Sequence, residues 1–398
     1  MPVVIVFCGW CTAVNPAFAQ TWTQTGAPNW FFQSIASSAD GSKLVAVGNG
    51  WVYASMNSGA TWMQITNPTG PADTLLFVAL SADGTKIAAT SLGGSIYTST
   101  NLGVTWMSNG VPSLNLMAIV SSADGDKLVV AAGEKPAFGI FPITNGPIYV
   151  STNSGAAWTV TGAPTNYWSC VASSADGTRL AAGTIGVNSQ GYLELGGLIY
   201  VSTDSGTTWM RTSAPTNAWA SIASSADGTK LAAASPISIY TSADSGASWF
   251  SNNVPATAWQ AITMSADGTK LAALDQNYHV YTSPNFGASW ASNSVPQPGW
   301  DMASSADGNE LVMISINGGI WLSQTTPSPL LKIAPTNGNV SLSWLVPSTN
   351  FVLQQNLDLT TTNWVTLKNA PTLNLTNLRD EATLSPTNSS GFFRLVSQ

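Results

Sequence analysis

The tetrapeptide Ser-Ala-Asp-Gly occurs seven times in this 398-residue chain, and no other feature limits the possible folds so strongly. Its aspartates are Asp40, Asp83, Asp124, Asp176, Asp227, Asp267 and Asp307, so successive copies lie 40 to 52 residues apart. A period of this length is typical of a solenoid or a propeller. We number the units that carry these copies repeats one to seven.

A second motif, Ser-x-Asn/Asp-x-Gly-x-x-Trp, follows the tetrapeptide in repeats one to six. It spans Ser55–Trp62, Ser99–Trp106, Ser151–Trp158, Ser202–Trp209, Ser242–Trp249 and Ser283–Trp290. The third position is occupied by Asn57, Asn101, Asn153, Asp204, Asp244 and Asn285. Asn and Asp both bond to the backbone in turns, and the glycine permits a positive φ, so we expect these residues to be structural.

Within a repeat the pattern predicts short strands. In repeat five, strands are expected over Ala218–Ser224, Lys230–Ala234, Ile237–Ser242 and from Ser248 onward, with glycine-bearing turns between them. Four strands in about 40 residues match a propeller blade. Repeat seven lacks a Trp-bearing fourth strand, whereas residues 21–24 match residues 61–64, the fourth strand of repeat one. The sequence therefore predicts an all-β, seven-bladed β-propeller in which the N-terminal strand closes blade seven.

The eight-residue motif resembles the Asp-box of BNR-repeat propellers, which share the sialidase-like fold and occur in sialidases, sortilin-like receptors and photosystem assembly factors. The resemblance covers about residues 20–324. It implies a structural hairpin between strands three and four, away from the active face. Sialidases hold their substrate with three arginines, but this region contains only Arg179 and Arg211. Sialidase activity is therefore excluded.

The two ends of the chain predict separate segments. Residues 3–14 are largely apolar and precede Ala17-Phe18-Ala19, so residues 1–19 are predicted to be a signal peptide of a secreted protein. No Lys or Arg precedes the apolar stretch, which leaves an upstream start open. We expect the propeller over residues 20–324, a linker over 325–329 and a small β-sandwich over 330–398. Its strands resemble fibronectin-III-like modules of secreted bacterial proteins.

The composition disfavours several classes of function. Only 8% of residues are charged, and 19 acidic against 12 basic residues give a net charge of −7. Nucleic-acid binding requires clustered cations, so this class is disfavoured. One histidine and three cysteines predict no metal site and no cofactor. No apolar stretch reaches the roughly 20 residues of a membrane span, and we expect a monomer.

The geometry of a propeller sorts the loops. The tetrapeptides join strands one and two and the Asp-boxes join strands three and four, so both lie on one rim, which we call the bottom rim. The top rim carries the connections between strands two and three and between repeats. Repeats three and four have long insertions there, and such insertions often bind ligands. We predict ligand contacts by Glu134, Phe141, Trp168, Tyr192 and Glu194.

Aromatic residues add to this prediction. A tryptophan stands near the start of the first strand in five repeats: Trp30, Trp168, Trp219, Trp259 and Trp300. These rings could bind a ligand or pack between blades. The sequence predicts non-catalytic binding of an extracellular protein or glycan on the top rim. The alternative is a glycoside hydrolase acting on neutral polysaccharide, which needs two carboxylates about 5–10 Å apart. Its candidates are Asp73, Glu134, Glu194, Asp275 and Asp301, and no catalytic residue is assigned.

Overall fold

The structure is a computed structural model that describes residues 22–397, apart from some short segments. The segments outside the description are residues 49, 70–73, 112–114, 134–144, 188–192, 256, 278, 325–330, 337–338, 346–350, 358–360, 362, 368–370, 377 and 385–391. The described residues form strands and turns and contain no helix. Within them no helical segment therefore has the length and apolar character of a membrane crossing.

Each of the seven repeats contributes a four-stranded antiparallel sheet, in which the strands lie side by side in order from the first strand outward. Repeat one has β2 (Ser34–Ser37), β3 (Leu44–Gly48), β4 (Trp51–Ser55) and β5 (Met63–Ile65). Repeat two has β6 (Leu75–Leu80), β7 (Ile87–Ser91), β8 (Ser95–Ser99) and β9 (Met107–Gly110). Repeat three has β10 (Leu116–Ser121), β11 (Leu128–Gly133), β12 (Asn145–Ser151) and β13 (Thr159–Val160).

The remaining sheets follow the same order. Repeat four has β14 (Trp168–Ser173), β15 (Leu180–Thr184), β18 (Ile199–Ser202) and β19 (Met210–Arg211), with an extra hairpin of β16 (Gly186–Val187) and β17 (Leu193–Glu194). Repeat five has β20 (Ser221–Ser224), β21 (Leu231–Ala234), β22 (Ile239–Ser242) and β23 (Phe250–Ser251). Repeat six has β24 (Trp259–Met264), β25 (Leu271–Asp275), β26 (His279–Ser283) and β27 (Ala291–Ser294). Repeat seven has β28 (Gly299–Ser304), β29 (Glu310–Ser315), β30 (Ile320–Gln324) and β1 (Thr23–Gln24).

The fourth strand of repeat seven comes from the other end of the chain. In the antiparallel pair β1–β30, Thr23 lies opposite Leu322 and Gln24 opposite Trp321. Trp22, just before β1, packs against a cluster that contains Leu311 of β29. The first and last parts of the repeat region therefore share one sheet.

A ring of backbone hydrogen bonds joins all seven repeats at the bottom rim. The alanine of each tetrapeptide donates its N–H to the carbonyl oxygen of the alanine in the next repeat, over 2.6 to 2.8 Å. The series runs through Ala39, Ala82, Ala123, Ala175, Ala226, Ala266 and Ala306, and Ala306 donates back to Ala39. The side chains of these alanines form one apolar cluster. We call these seven residues the alanine ring.

Apolar side chains fill the spaces between neighbouring sheets. One cluster, for example, joins Phe32 and Ile35 of repeat one to Val312 and Ile314 of repeat seven. The tryptophans of the six eight-residue motifs pack on the edges of such clusters. The predicted all-β architecture of repeated four-stranded sheets, a β-propeller, is confirmed.

The C-terminal segment forms two further sheets. The first contains β31 (Lys332–Thr336), β32 (Asn339–Leu345), β36 (Arg379–Leu384) and β35 (Thr372–Asn374). The second contains β34 (Val365–Thr366), β33 (Phe351–Asn356) and β37 (Phe392–Ser397). Leu342 and Trp344 of the first sheet and Leu353 of the second belong to one buried cluster. We refer to these two sheets as the C-terminal module.

Candidate binding surface

The six copies of the eight-residue motif, which we call boxes, share one hairpin geometry. In repeat one, the Oγ of Ser55 accepts the N–H of Gly59 at 2.9 Å, and the Oδ1 of Asn57 accepts the N–H of Thr61 at 2.8 Å. Ser58 and Gly59 have φ values of 50° and 78°, and the other five boxes repeat this pair of positive φ values. The motif residues therefore bond within their own turn, which supports a structural role.

Asn and Asp serve this turn equally well. In repeat four, the Oδ1 of Asp204 accepts the N–H of Thr208 at 2.8 Å, and its Oδ2 accepts the Thr208 hydroxyl at 2.6 Å. In repeat one, the Nδ2 of Asn57 instead donates to the Thr61 hydroxyl at 2.9 Å. The threonine hydroxyl thus accepts a hydrogen bond from the Asn side chain but donates one to the Asp side chain. These bonds hold the pKa of the exposed Asp204 carboxyl below its usual value.

The bottom rim is also tied together between repeats. Three residues after each tetrapeptide aspartate, repeats one to six carry a Lys or Arg whose stem crosses the glycine of the next tetrapeptide. A Cβ on Gly84 would lie only 2.5 Å from the Cδ of Lys43. The Nζ of Lys86 then reaches the Oδ1 of Asp126 at 2.6 Å. The cations therefore bridge neighbouring repeats, while the aspartates cap their own turns, as Asp40 does by accepting the Ser42 N–H at 3.0 Å.

Repeat seven replaces this cation by Glu310. Its carboxyl group crosses Gly41 of repeat one, and the Nε2 of Gln324 donates to its Oε2 at 2.6 Å. The side chain is only 4% exposed. Burial, together with the negative charges of Asp307 and Asp40, raises the pKa of Glu310 to about 7. A carboxyl group that keeps its proton in mildly acidic solution therefore lies where the first and last repeats meet.

Three of the five predicted ligand contacts, Glu134, Phe141 and Tyr192, lie outside the described residues. Glu194 is exposed on the hairpin β16–β17, above repeat four. Trp168 is only 1% exposed, and its Nε1 donates to the carbonyl oxygen of Gly146 at 2.9 Å. The prediction that Trp168 contacts a ligand is therefore corrected, because its ring is enclosed by the sheet.

The position along the strand explains which tryptophans are accessible. The residue eight positions before the tetrapeptide aspartate is buried in all seven repeats: Phe32, Leu75, Leu116, Trp168, Trp219, Trp259 and Gly299. Trp30 and Trp300 fall outside this position and are 39% and 42% exposed. Trp300 stands one residue after the buried Gly299, at a register shift that four other repeats share, so its side chain leaves the core face. The tryptophan series therefore divides into packing residues and surface residues.

The surface tryptophans lie on the top rim where repeats seven and one meet. Trp30 and Trp51 contact each other with ring centroids 4.9 Å apart. The backbone carbonyl of Trp30 accepts the N–H of Gly319, which anchors it to repeat seven. Trp300 lies in β28, which contacts β2. We call Trp30, Trp51 and Trp300 the seam tryptophans.

The rest of the described top rim is also apolar. Large hydrophobic side chains that are 36% to 56% exposed occur in the top connections or strand ends of five repeats: Trp30, Trp51, Leu92, Leu195, Ile237, Trp300 and Ile316. Among the described top connections and strand ends, the exposed charged side chains are Glu194 and Arg211. Charged groups are concentrated on the bottom rim, so the two rims differ in chemistry.

The carboxylates considered for hydrolysis have structural partners. Asp301 accepts the Ile35 N–H at 3.1 Å and the Ser34 hydroxyl at 3.0 Å, and burial raises its pKa. Asp275 is 2% exposed and accepts the backbone N–H groups of Asn277 and His279. Asp73 and Glu134 lie outside the described residues. Asp275 and Asp301 thus stabilise a turn and a contact between repeats, whereas Glu194 is exposed.

His279 and Cys170 do not form a catalytic arrangement with the other described residues. His279 bonds through its Nδ1 to Asp275 at 3.3 Å, and no serine hydroxyl in this part of the chain bonds to its ring. Cys170 is buried, which raises its pKa to about 11 and leaves it a poor nucleophile. The described ranges hold no group of three metal-ligating side chains. Two clefts of about 200 Å³ between repeats are lined by bottom-rim residues such as Lys86 and Arg179, and they are smaller than typical ligand pockets.

No family model and no curated protein matches this chain. Its fold is similar to solved structures, among them YCF48 from Cyanidioschyzon merolae, with a TM-score of 0.57 and 14% identity over 76% of this chain and 98% of that chain. A structure of YCF48 bound to D1 peptide has a TM-score of 0.58 and 14% identity, and the match covers 80% of this chain and 97% of that chain. At such low identity the likeness shows the fold alone.

Sequence reasoning missed most of the apolar top rim. Trp51 follows Gly50, Leu92 precedes Gly93, and Ile316 stands two residues before Gly318. Turns of this kind usually carry polar residues, so a large apolar residue beside the glycines was the available signal. The prediction relied instead on the tryptophans that recur near the start of the first strand, and those at the core position are buried.

Proposed function

We propose that this chain is a non-catalytic, protein-binding propeller whose seven sheets form one closed seven-bladed ring of the Asp-box type. The observation that carries the proposal is the apolar top rim, with the seam tryptophans at its most aromatic part. Exposed aromatic clusters in a surface with few charges are typical of protein interfaces, where Trp is a frequent energetic anchor.

Two further points favour a protein partner over a glycan. One of the structures with a similar fold, YCF48, is bound to a peptide. In addition, Asp275 and Asp301 are engaged in a turn and a repeat contact, which leaves Glu194 as the exposed acid among the described glycosidase candidates, so a pair of carboxylates is not supported. Glu134, Phe141, Tyr192 and Glu194 belong to the proposed surface as its polar and aromatic extension over repeats three and four.

We further propose that the protein acts outside the cytoplasm and that the C-terminal module is a fibronectin-III-like β-sandwich. The apolar stretch before Ala17-Phe18-Ala19 supports export. Mass spectrometry of the exported protein should give a mature chain that begins at Gln20. An exported chain that retains residues 1–19 would contradict this part of the proposal.

The binding proposal is tested by panning a phage-displayed random peptide library against the purified chain and against Trp30→Ala/Trp51→Ala. The chain should enrich peptides with apolar anchors, and the variant should lose them while keeping its melting temperature. Phe250→Ala is a matched control, because it removes an aromatic side chain that is 67% exposed on an outer strand. Equal enrichment by the chain and the Trp variant, or hydrolysis of a neutral polysaccharide, would contradict the proposal.

A further inference from the structure

The hairpin between β35 and β36 presents unusual residues at its tip. Leu373, Leu375 and Leu378 lie in or beside a turn, where polar residues are normally found. Leu378 has a φ of +53°, a conformation that bulky residues rarely adopt unless their surroundings hold them there. Its N–H bonds to the carbonyl oxygen of Asn374 at 2.8 Å, so the turn is well defined.

The C-terminal module does not use these leucines for its own core. That core contains Leu342, Trp344, Leu353 and Ala382, with a separate set of partly buried residues around it. Leu373, Leu375 and Leu378 instead pack against the alanine ring. Three apolar side chains of the module are thus covered by the propeller.

The alanine ring is suited to receive such a tip. Its side chains are small and apolar, and they form one apolar cluster on the bottom rim. The adjoining tetrapeptide aspartates add negative charge around the ring. Arg379 follows Leu378, and its guanidinium donates to the hydroxyl and to the carbonyl oxygen of Ser343 in its own module, each at 3.0 Å. Burial lowers the pKa of Arg379, and the negative charge of Asp267 in repeat six partly offsets this effect. Asp380 and Glu381 follow it in the chain, and Glu381 also interacts favourably with Arg379.

We propose that the alanine ring is a docking site for a leucine-bearing hairpin, and that Leu373, Leu375 and Leu378 of the same chain occupy it and cover this part of the bottom rim. The contact consists of the apolar packing of the three leucines against the ring. Docking holds the C-terminal module against the bottom rim and leaves the top rim as the open end of the ring. This inference does not depend on the nature of the partner at the top rim.

The test uses the full chain with Leu373→Asn/Leu375→Asn/Leu378→Asn, and Leu357→Asn as the control, since Leu357 is a leucine of the same module that is 56% exposed. Amide hydrogen exchange within residues 372–379 should become at least about tenfold faster in the triple variant. Small-angle X-ray scattering should show a larger maximum dimension. The control should change neither quantity.

Trp344 reports on the module itself, because its side chain is 1% exposed. The tryptophans of the propeller contribute equally to the fluorescence of the triple variant and of the control. The tryptophan emission of the triple variant should therefore equal that of the control. Unchanged exchange and dimension would overturn the docking site. A red shift of emission in the triple variant alone would also overturn it, since the leucines would then stabilise the module rather than its contact with the ring.

Discussion

Ala306 donates its backbone N–H to the carbonyl oxygen of Ala39 over 2.8 Å, which joins the last tetrapeptide of the chain to the first. The same seam contains the pair β1–β30, the bonds of Asp301 to Ser34 and Ile35, and the contact of Glu310 with Gly41. The ends of the repeat region are therefore connected at the bottom, along the inner strands and at the outer edge. Several independent contacts, rather than a single one, therefore join repeat one to repeat seven.

Loss of the N-terminal strand should destabilise the whole repeat region. Deleting residues 20–24 removes β1 and exposes the edge of β30, and Trp22→Ala removes a ring packed near Leu311. We expect Trp22→Ala to lower the free energy of unfolding by about 2–4 kcal/mol in denaturant titrations. Trp51→Ala, at a surface position, should cost clearly less. Equal unfolding midpoints for Trp22→Ala and the unmodified chain would show that β1 does not stabilise the ring.

The eight-residue motif of repeat four should tolerate an amide in place of its carboxylate, but not a branched side chain in place of its glycine. Gly206 has a φ of +87°, and a Cβ there would lie 2.9 Å from the Cγ2 of Thr161, so Gly206→Val should lower the melting temperature strongly. Asp204→Asn should change stability by less than about 0.5 kcal/mol, because Asn57 bonds the equivalent threonine. A loss of peptide binding by Asp204→Asn at unchanged stability would assign the box a function in recognition.

Stability should fall as the pH rises from about 4.5 to 7. Glu310 has a folded pKa of about 7 against 4.5 for the free side chain, so the folded state retains a proton that the unfolded state has lost. The stabilisation that this proton provides is fully present below pH 4.5. It is lost as the pH rises through 7, which lowers the free energy of unfolding by on the order of 3 kcal/mol. Glu310→Gln should therefore stabilise the protein at pH 8 and have little effect at pH 4.

This prediction is checked by denaturant unfolding at both pH values, with Glu194→Gln as an exposed control. The tetrapeptide aspartates Asp83, Asp176 and Asp227 have lowered pKa values, because side-chain and backbone hydrogen bonds outweigh their desolvation. Their contributions are lost only below about pH 4, on the acid side of the Glu310 effect. An identical pH dependence for Glu310→Gln and the unmodified chain would mean that Glu310 is not a buried, neutral group.

The sequence predicted the repeated sheets because each strand and turn is determined locally. Glycines at positive φ, such as Gly84 and Gly206, mark turns that any single repeat reveals. The accessible surface was harder to predict, since exposure depends on register. Trp300 is displaced by one position from the core position of Trp259, and this small offset turns its ring from the interior to the surface.

Contacts between distant parts of the chain could not be read from local patterns either. Lys43 stands three residues after Asp40 in the sequence, but its stem crosses Gly84 of the next repeat. Likewise, the sequence predicted strands in the C-terminal module, but it did not predict that Leu373 and Leu378 pack on the alanine ring. Such contacts arise from the assembled ring, so the spacing of residues within one repeat carries no signal for them.

The proposed surface has two aromatic parts that mutation can separate. Phe141 and Tyr192 belong to the insertions of repeats three and four, outside the described residues, whereas Trp30 and Trp51 lie at the seam of repeats seven and one. With a peptide selected on the unmodified chain, Phe141→Ala/Tyr192→Ala should weaken binding by about 1–3 kcal/mol if the contact extends over the insertions. Lys86→Ala on the bottom rim is the control. Isothermal titration calorimetry should show full affinity for Lys86→Ala and reduced affinity for both aromatic double variants. Loss of binding in Lys86→Ala, with both aromatic variants unaffected, would move the site to the bottom rim.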